Sequence, residues 1–81
     1  MKNREIAAMF NDIADMLEIK GESPYRITAY RRAARSLEGL TEDVAVIAKR
    51  DELEEIPGVG KSTAEKILEF LRTGTCAYYE E

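Results

Sequence analysis

Apolar residues recur along this chain at helical spacing, and nowhere at the alternation of a strand. Across residues 4–19, Ile6, Met9, Phe10, Ile13, Met16 and Leu17 fall on one side of a 3.6-residue repeat, with Asp12, Asp15 and Glu18 on other faces. Gly21 ends that segment. Ser23-Pro24 opens a second, the serine as N-cap and the proline at the first helical position, where its missing N–H removes no bond. Ile27, Tyr30, Ala34 and Leu37 form its stripe, and Gly39 marks the close. A short third segment starts at Thr41 or Glu42 and carries Val44, Ile47 and Ala48, after which Asp51 is the expected N-cap of one further turn over 52–55. After Pro57-Gly58-Val59-Gly60, residues 61–72 form the clearest remaining helix, with Ala64, Ile67, Leu68 and Leu71 on its apolar face and Gly74 as a left-handed stop. Tyr78-Tyr79-Glu80-Glu81 reads as the start of another helix. The pattern predicts an all-α fold: one domain over 1–81, a compact bundle of four to five short helices, with a helix-hairpin-helix at 51–72.

Composition narrows the chemistry. With 44% apolar and 35% charged residues the 81-residue chain is globular. No apolar run approaches the ~18 residues that cross a membrane, and residues 1–15 lack the layout of a signal peptide, so a membrane partner is not expected and the cytoplasm is the expected location. A single cysteine, Cys76, excludes an internal disulfide, and the absence of histidine removes triads, imidazole bases and the usual zinc sites. The net charge of −4 is unevenly spread. Residues 25–35 hold Arg26, Arg31, Arg32 and Arg35 without an acid, whereas 41–55 hold six acids against Lys49 and Arg50. Affinity for a polyanion must therefore be local.

The segment 56–67 carries the sharpest signal. Pro57 stops the preceding helix, and Gly58 and Gly60 permit positive φ and expose amides with no Cβ in the way. The amides at and after Gly60 begin the next helix, so unpaired N–H groups and the positive end of the dipole form a seat for one phosphate. Val59 plugs the turn, and Ala64 is small where two helices approach closely. Pro-Gly punctuation alone also suits an ordinary αα-turn. The phosphate reading rests on the whole set, and such a hairpin contacts sugar and phosphate without specifying a base.

The run Pro57-Gly58-Val59-Gly60-Lys61-Ser62-Thr63-Ala64-Glu65-Lys66-Ile67 resembles the N-terminal helix-hairpin-helix domain of family X DNA polymerases, polymerase beta-like and closest to the bacterial and archaeal members. Tyr25-Arg26-Ile27-Thr28-Ala29-Tyr30-Arg31-Arg32-Ala33-Ala34 matches that domain's second helix, in the same order and spacing. The resemblance implies the front domain of a repair polymerase whose catalytic domains lie beyond residue 81, associated with the nucleoid. It implies binding of gapped or nicked DNA on the 5′-phosphate side, independent of sequence, with Gly58, Val59, Gly60, Lys61 and Ser62 in the hairpin. It also implies a sodium or potassium ion on the backbone carbonyls of Glu54, Ile56 and Val59. Lys66 matches the lysine with which animal members remove a 5′-deoxyribose phosphate through a Schiff base, while on a helical wheel it lies opposite the apolar stripe and so faces outward.

Around the hairpin, Tyr25 is the stacking candidate and Arg26 a phosphate ligand, while Tyr30 lies on the core stripe. Arg31, Arg32 and Arg35 fall within about 100° of the second helix. Arg31, Arg32 and Arg35 are candidate DNA clamps, the alternative being a face neutralised by acids such as Glu38 or those of 41–55. Two other functions stay open. One is lyase chemistry at Lys66. The other is a protein-interaction bundle in which the acidic 41–55 segment meets a partner and the hairpin is structural.

Overall fold

The computed structural model describes residues 1–76. Four α-helices and one 3-10 turn follow in order: α1 (Asn3–Ile19), α2 (Pro24–Gly39), α3 (Val44–Lys49), the turn at Leu53–Glu55, and α4 (Lys61–Thr73). There is no strand among the described residues, so the all-α expectation holds. The helix start expected at 78–81 lies outside the described residues. No helix among the described residues is long and apolar enough to cross a membrane.

The short 20–23 connection folds α2 back along α1, and the two form the scaffold of the core. Ile6, Phe10 and Ile13 from α1 meet Tyr30, Ala34 and Leu37 from α2, all buried. Phe10 and Tyr30 stack at a tilt, 5.7 Å between ring centroids, which places Tyr30 in the core as its stripe predicts. Ser23 caps α2 as expected: its Oγ accepts the Tyr25 N–H at 3.2 Å.

The third segment departs from its expected start. Asp43, not Thr41 or Glu42, is the N-cap, its carboxylate accepting the Ala45 N–H at 3.0 Å. Asn3 completes this end from the far side of the chain. Its buried side-chain amide donates to the Glu42 carbonyl at 2.8 Å and accepts the Val44 N–H at 2.9 Å. Asp51 is not a cap either. It sits at φ +57, in the left-handed region, donating its N–H to Ala48 as the chain leaves α3.

The buried face of α4 differs from the expected stripe. Ala64, Ile67 and Phe70 are buried, Leu71 is partly so, and Leu68 is 46% exposed. Exchanging Leu68 for Phe70 rotates the buried arc by about 40° at 100° per residue. That rotation carries the flank of the arc toward Lys66.

Candidate nucleic-acid interface

The hairpin turn is held by α2. The chain leaves the 3-10 turn extended at Ile56 (ψ 128), and Val59 donates its N–H back to the Ile56 carbonyl at 3.0 Å. Ile56 and Val59 are buried, so the turn is plugged into the core from both sides. Ser36 on α2 donates its hydroxyl to the Pro57 carbonyl at 2.7 Å. Gly58 then lies flat on α2 at φ +87, and a Cβ there would stand 3.0 Å from the Ala33 nitrogen and 3.0 Å from the Arg32 Cβ. Both the backbone angle and the space demand glycine at 58.

Gly60 is a different case. Its φ of −103 and ψ of −168 are extended values open to any residue, and a Cβ would meet nothing within 4 Å. The expectation of positive φ at both glycines is therefore met only at Gly58. Nothing in the protein's own packing asks for glycine at 60.

The amides around it were expected to stand open, and most do. Gly60 itself donates to Thr63 Oγ1 at 3.1 Å, which removes its N–H from the open set. The first intrahelical bond runs from the Ala64 N–H to the Gly60 carbonyl at 2.9 Å. Between these, the N–H groups of Lys61, Ser62 and Thr63 find no acceptor among the described residues, and neither does that of Gly58. Gly60 has no side-chain oxygen with which to cap them. Three successive donors thus remain at the positive end of a 13-residue helix.

Two clefts flank this helix start. The larger, about 380 Å³, runs between the first half of α2 and the hairpin, with Tyr25, Thr28 and Arg32 on one wall and Gly58, Val59 and Gly60 on the other. The smaller, about 160 Å³, is lined by Tyr25, Arg26, Tyr30 and the first residues of α4, Ser62 and Thr63. Tyr25 belongs to both and is 83% exposed, an aromatic face standing between two phosphate-sized recesses. The fold therefore brings Tyr25, Arg26, Gly58, Val59, Gly60 and Ser62 together. Lys61 points to another side, lining a recess with Asp51, Glu54 and Glu65.

The arginines of α2 separate into distinct roles. Arg31 donates to Asp15 at 2.9 Å and Glu18 at 2.8 Å, which ties it to α1, and those bonds push its pKa further up. The acids that engage it lie on α1, not in 41–55. Arg26 reaches Glu22 at 3.5 Å. Arg35 is exposed and stands outside the lining of the larger cleft. Arg32, read from the sequence as one of three clamp candidates on this face, is the arginine in that cleft, exposed and with no carboxylate partner among the described residues. Its packing against Gly58, and the turn of Arg31 toward α1, separate the two neighbours, and the sequence holds no sign of either contact.

Lys66 faces outward only in part. It is half-buried, with Nζ donating to Ser62 Oγ at 3.0 Å and standing 5.9 Å from the centroid of the Tyr30 ring. The rotated arc of α4 explains the change. Lys66 thus lies at the edge of the smaller cleft, through a partner that lines it.

Glu54, Ile56 and Val59 all line the larger cleft. Pro57 has no N–H, so the Glu54 carbonyl lacks the donor that would follow it three residues on. The carbonyls of Glu54 and Val59 find no donor among the described residues, and that of Ile56 accepts from Val59 with a lone pair to spare.

A family model described as a helix-hairpin-helix domain matches residues 1–76. The DNA polymerase/3′-5′ exonuclease PolX of Bacillus subtilis (strain 168) is 30% identical over 80 residues, 99% of this chain. The chain spans 14% of the length of that relative, matching its N-terminal region. The resemblance drawn from the 25–34 and 57–67 motifs is borne out. The chain belongs to the helix-hairpin-helix domain family.

Proposed function

We propose that this domain binds the DNA backbone without reading sequence, seating one phosphate on the open amides of Lys61, Ser62 and Thr63. The observation that carries the reading is the row of three amides at Lys61, Ser62 and Thr63, left without an acceptor among the described residues because Gly60 offers no side-chain cap, beside the cleft that Tyr25 and Arg32 line. Arg32 and Arg26 supply charge on the facing wall and Tyr25 a stacking surface. The ligand is gapped or nicked DNA engaged on its 5′-phosphate side, and the setting is a longer repair polymerase working at the nucleoid. A sodium or potassium ion fits the carbonyls of Glu54, Ile56 and Val59. When bound it would place positive charge between the acidic Glu54–Glu55 pair and the phosphate.

Fluorescence anisotropy with a gapped duplex, with and without the 5′-phosphate, tests this reading. Binding should be tighter with the phosphate and should weaken steeply with salt. Equal and negligible binding of both duplexes would overturn it.

A second reading is favoured by the position of Lys66. Its amine adds to the C1′ aldehyde of a 5′-deoxyribose phosphate and expels water, giving an iminium. Loss of the C2′ proton then breaks the C3′–O bond and releases the DNA with a 5′-phosphate. Borohydride reduces the iminium to a stable adduct, so trapping in the wild type and its loss in Lys66→Ala is the expected outcome. Absence of adduct in the wild type would remove lyase activity and leave DNA binding standing.

A further inference from the structure

A concavity of about 570 Å³ lies away from the hairpin cleft. Its floor comes from two walls, Ala45 and Ala48 on α3 and Leu68 and Leu71 on α4. On α4, Leu68, Leu71 and Arg72 lie roughly opposite Ser62, Thr63 and Lys66 at 100° per residue, so the groove and the cleft use different sides of one helix. The volume falls within the ~300–1,000 Å³ typical of ligand-binding recesses.

Two observations say what suits it. The first is Leu68. Its spacing within α4 puts it on the apolar face, yet it is 46% exposed. With Ala45, Ala48 and Leu71 it forms one contiguous apolar surface, the kind that a partner covers. The second is charge. Lys2, Lys49 and Arg72 stand around the groove, three of the twelve basic residues of a chain whose net charge is −4. Lys2 is shared with Glu5 at 3.8 Å, but Lys49 and Arg72 have no carboxylate partner among the described residues. The one acid in the lining, Asp43, already accepts the Ala45 N–H as the cap of α3. The groove is thus an apolar floor with a basic rim.

We propose that this groove docks an amphipathic helix of a separate protein, one whose aliphatic side chains are flanked by Asp and Glu. Its apolar side chains lie over the two alanines and against Leu68 and Leu71, while its carboxylates pair with Lys49 and Arg72. The side chains at issue lie on the side of α4 away from the open amides and the clefts beside them, so the inference does not depend on DNA binding.

The test uses the isotope-labelled 81-residue chain and a synthetic helical peptide with leucines at i, i+3, i+4 and i+7 and glutamates at both ends. Amide shifts should concentrate at Ala45, Ala48, Leu68 and Leu71. Lys49→Glu with Arg72→Glu should weaken binding by about tenfold or more, and added salt should weaken the wild type in the same sense. Leu68→Ala, an exposed change that leaves the fold intact by thermal melting, should weaken the peptide by about fivefold and leave gapped-DNA binding unchanged. Equal binding of a lysine-flanked version of the peptide would overturn the proposal, as would no shift at millimolar peptide. Concentration-dependent dimerisation abolished by Leu68→Glu would overturn it too, by showing a second copy of the chain in the groove.

Discussion

Helices α2 and α4 meet at one cleft, yet their first turns are finished in opposite ways. At α2, Pro24 has no N–H, Tyr25 donates to Ser23 Oγ and Arg26 donates to the Ser23 carbonyl, so no donor is left over. The start of α3 is equally closed, with Val44 on Asn3, Ala45 on Asp43 and Val46 on the Asp43 carbonyl. At α4 the cap residue is a glycine, and Lys61, Ser62 and Thr63 keep three donors without an acceptor among the described residues. The chain has the means to close a helix start and uses it twice. The start of α1 is open too, since Lys2 makes no side-chain cap bond, so what singles out α4 is that its open donors stand beside the two clefts that Tyr25 shares.

The most direct way to break this contrast is to finish α4 as α2 is finished. Gly60→Asp adds an oxygen that accepts from the amides behind it and a negative charge where the phosphate is proposed to sit. The backbone there is extended and the space open, so thermal stability should hold or rise by a few tenths of a kcal/mol, the usual difference between glycine and a good cap. DNA affinity should fall by about ten- to a hundredfold, the loss of hydrogen bonds to a charged group. Retained affinity in a variant that melts no lower than wild type would mean that the amides hold nothing.

Gly58→Ala sharpens the comparison from the other glycine. Here the added Cβ meets Ala33 and Arg32 at 3.0 Å and the backbone is at φ +87, so the turn must lift off α2. The expected cost is about 2 kcal/mol or more of stability, with DNA binding falling as a consequence. The two glycines therefore separate: one substitution lowers the melting temperature, and the other lowers affinity alone. If Gly58→Ala melts like wild type, α2 does not set the turn.

Neighbouring arginines supply a smaller contrast. Arg32→Gln should reduce affinity several-fold and lower the salt slope by about one, the signature of one lost phosphate contact. Arg31→Gln breaks the exposed pairs with Asp15 and Glu18 and should leave the salt slope as it was. Slopes that change equally in both variants would remove the distinction that the Gly58 contact draws between them.

These cases show how far the sequence could be read. Local signals were legible: Ser23-Pro24 at the start of α2, Pro57-Gly58 at the turn and Gly74 at the end of α4 each act through their own backbone. So was the grouping of Tyr25, Arg26 and the hairpin, because the two motifs carry the resemblance. What was not legible depends on contacts between distant segments. Nothing within α2 says that Arg31 turns to α1 while Arg32 stays in the cleft. Nothing near Val44 says that Asn3 closes that helix from 41 residues away. On α4, four leucine, isoleucine and alanine positions fix a wheel only to within the choice between Leu68 and Phe70, and that choice decides whether Lys66 faces solvent or Tyr30. The acceptor of the Gly60 amide, Thr63, lay within reach of a reading that looks for a hydroxyl three residues into a helix.

The closed end of the comparison has its own, smallest, test. Arg50, the C-cap of α3, donates to both Glu42 oxygens, at 2.6 and 2.9 Å, and to Glu52 at 2.8 Å, bridging the two ends of that short helix. The hydrogen bonds from Arg50 hold the Glu42 carboxyl below the usual carboxylate range. A carboxyl whose pKa is lower in the folded chain than in the unfolded one stabilises the fold at pH above its unfolded value, and that contribution is lost as pH falls through the folded value. Wild type should therefore melt slightly higher than Glu42→Gln at neutral pH, and the gap should close on acidification through the lowered Glu42 value. Both side chains are exposed, so the gap should be small and should shrink with salt. A gap that stays constant with pH would show that the pair contributes through shape and not through charge. Because this clamp lies on α3, closing or opening it should leave DNA affinity unmoved, which separates the stability of the closed helix ends from the chemistry of the open one.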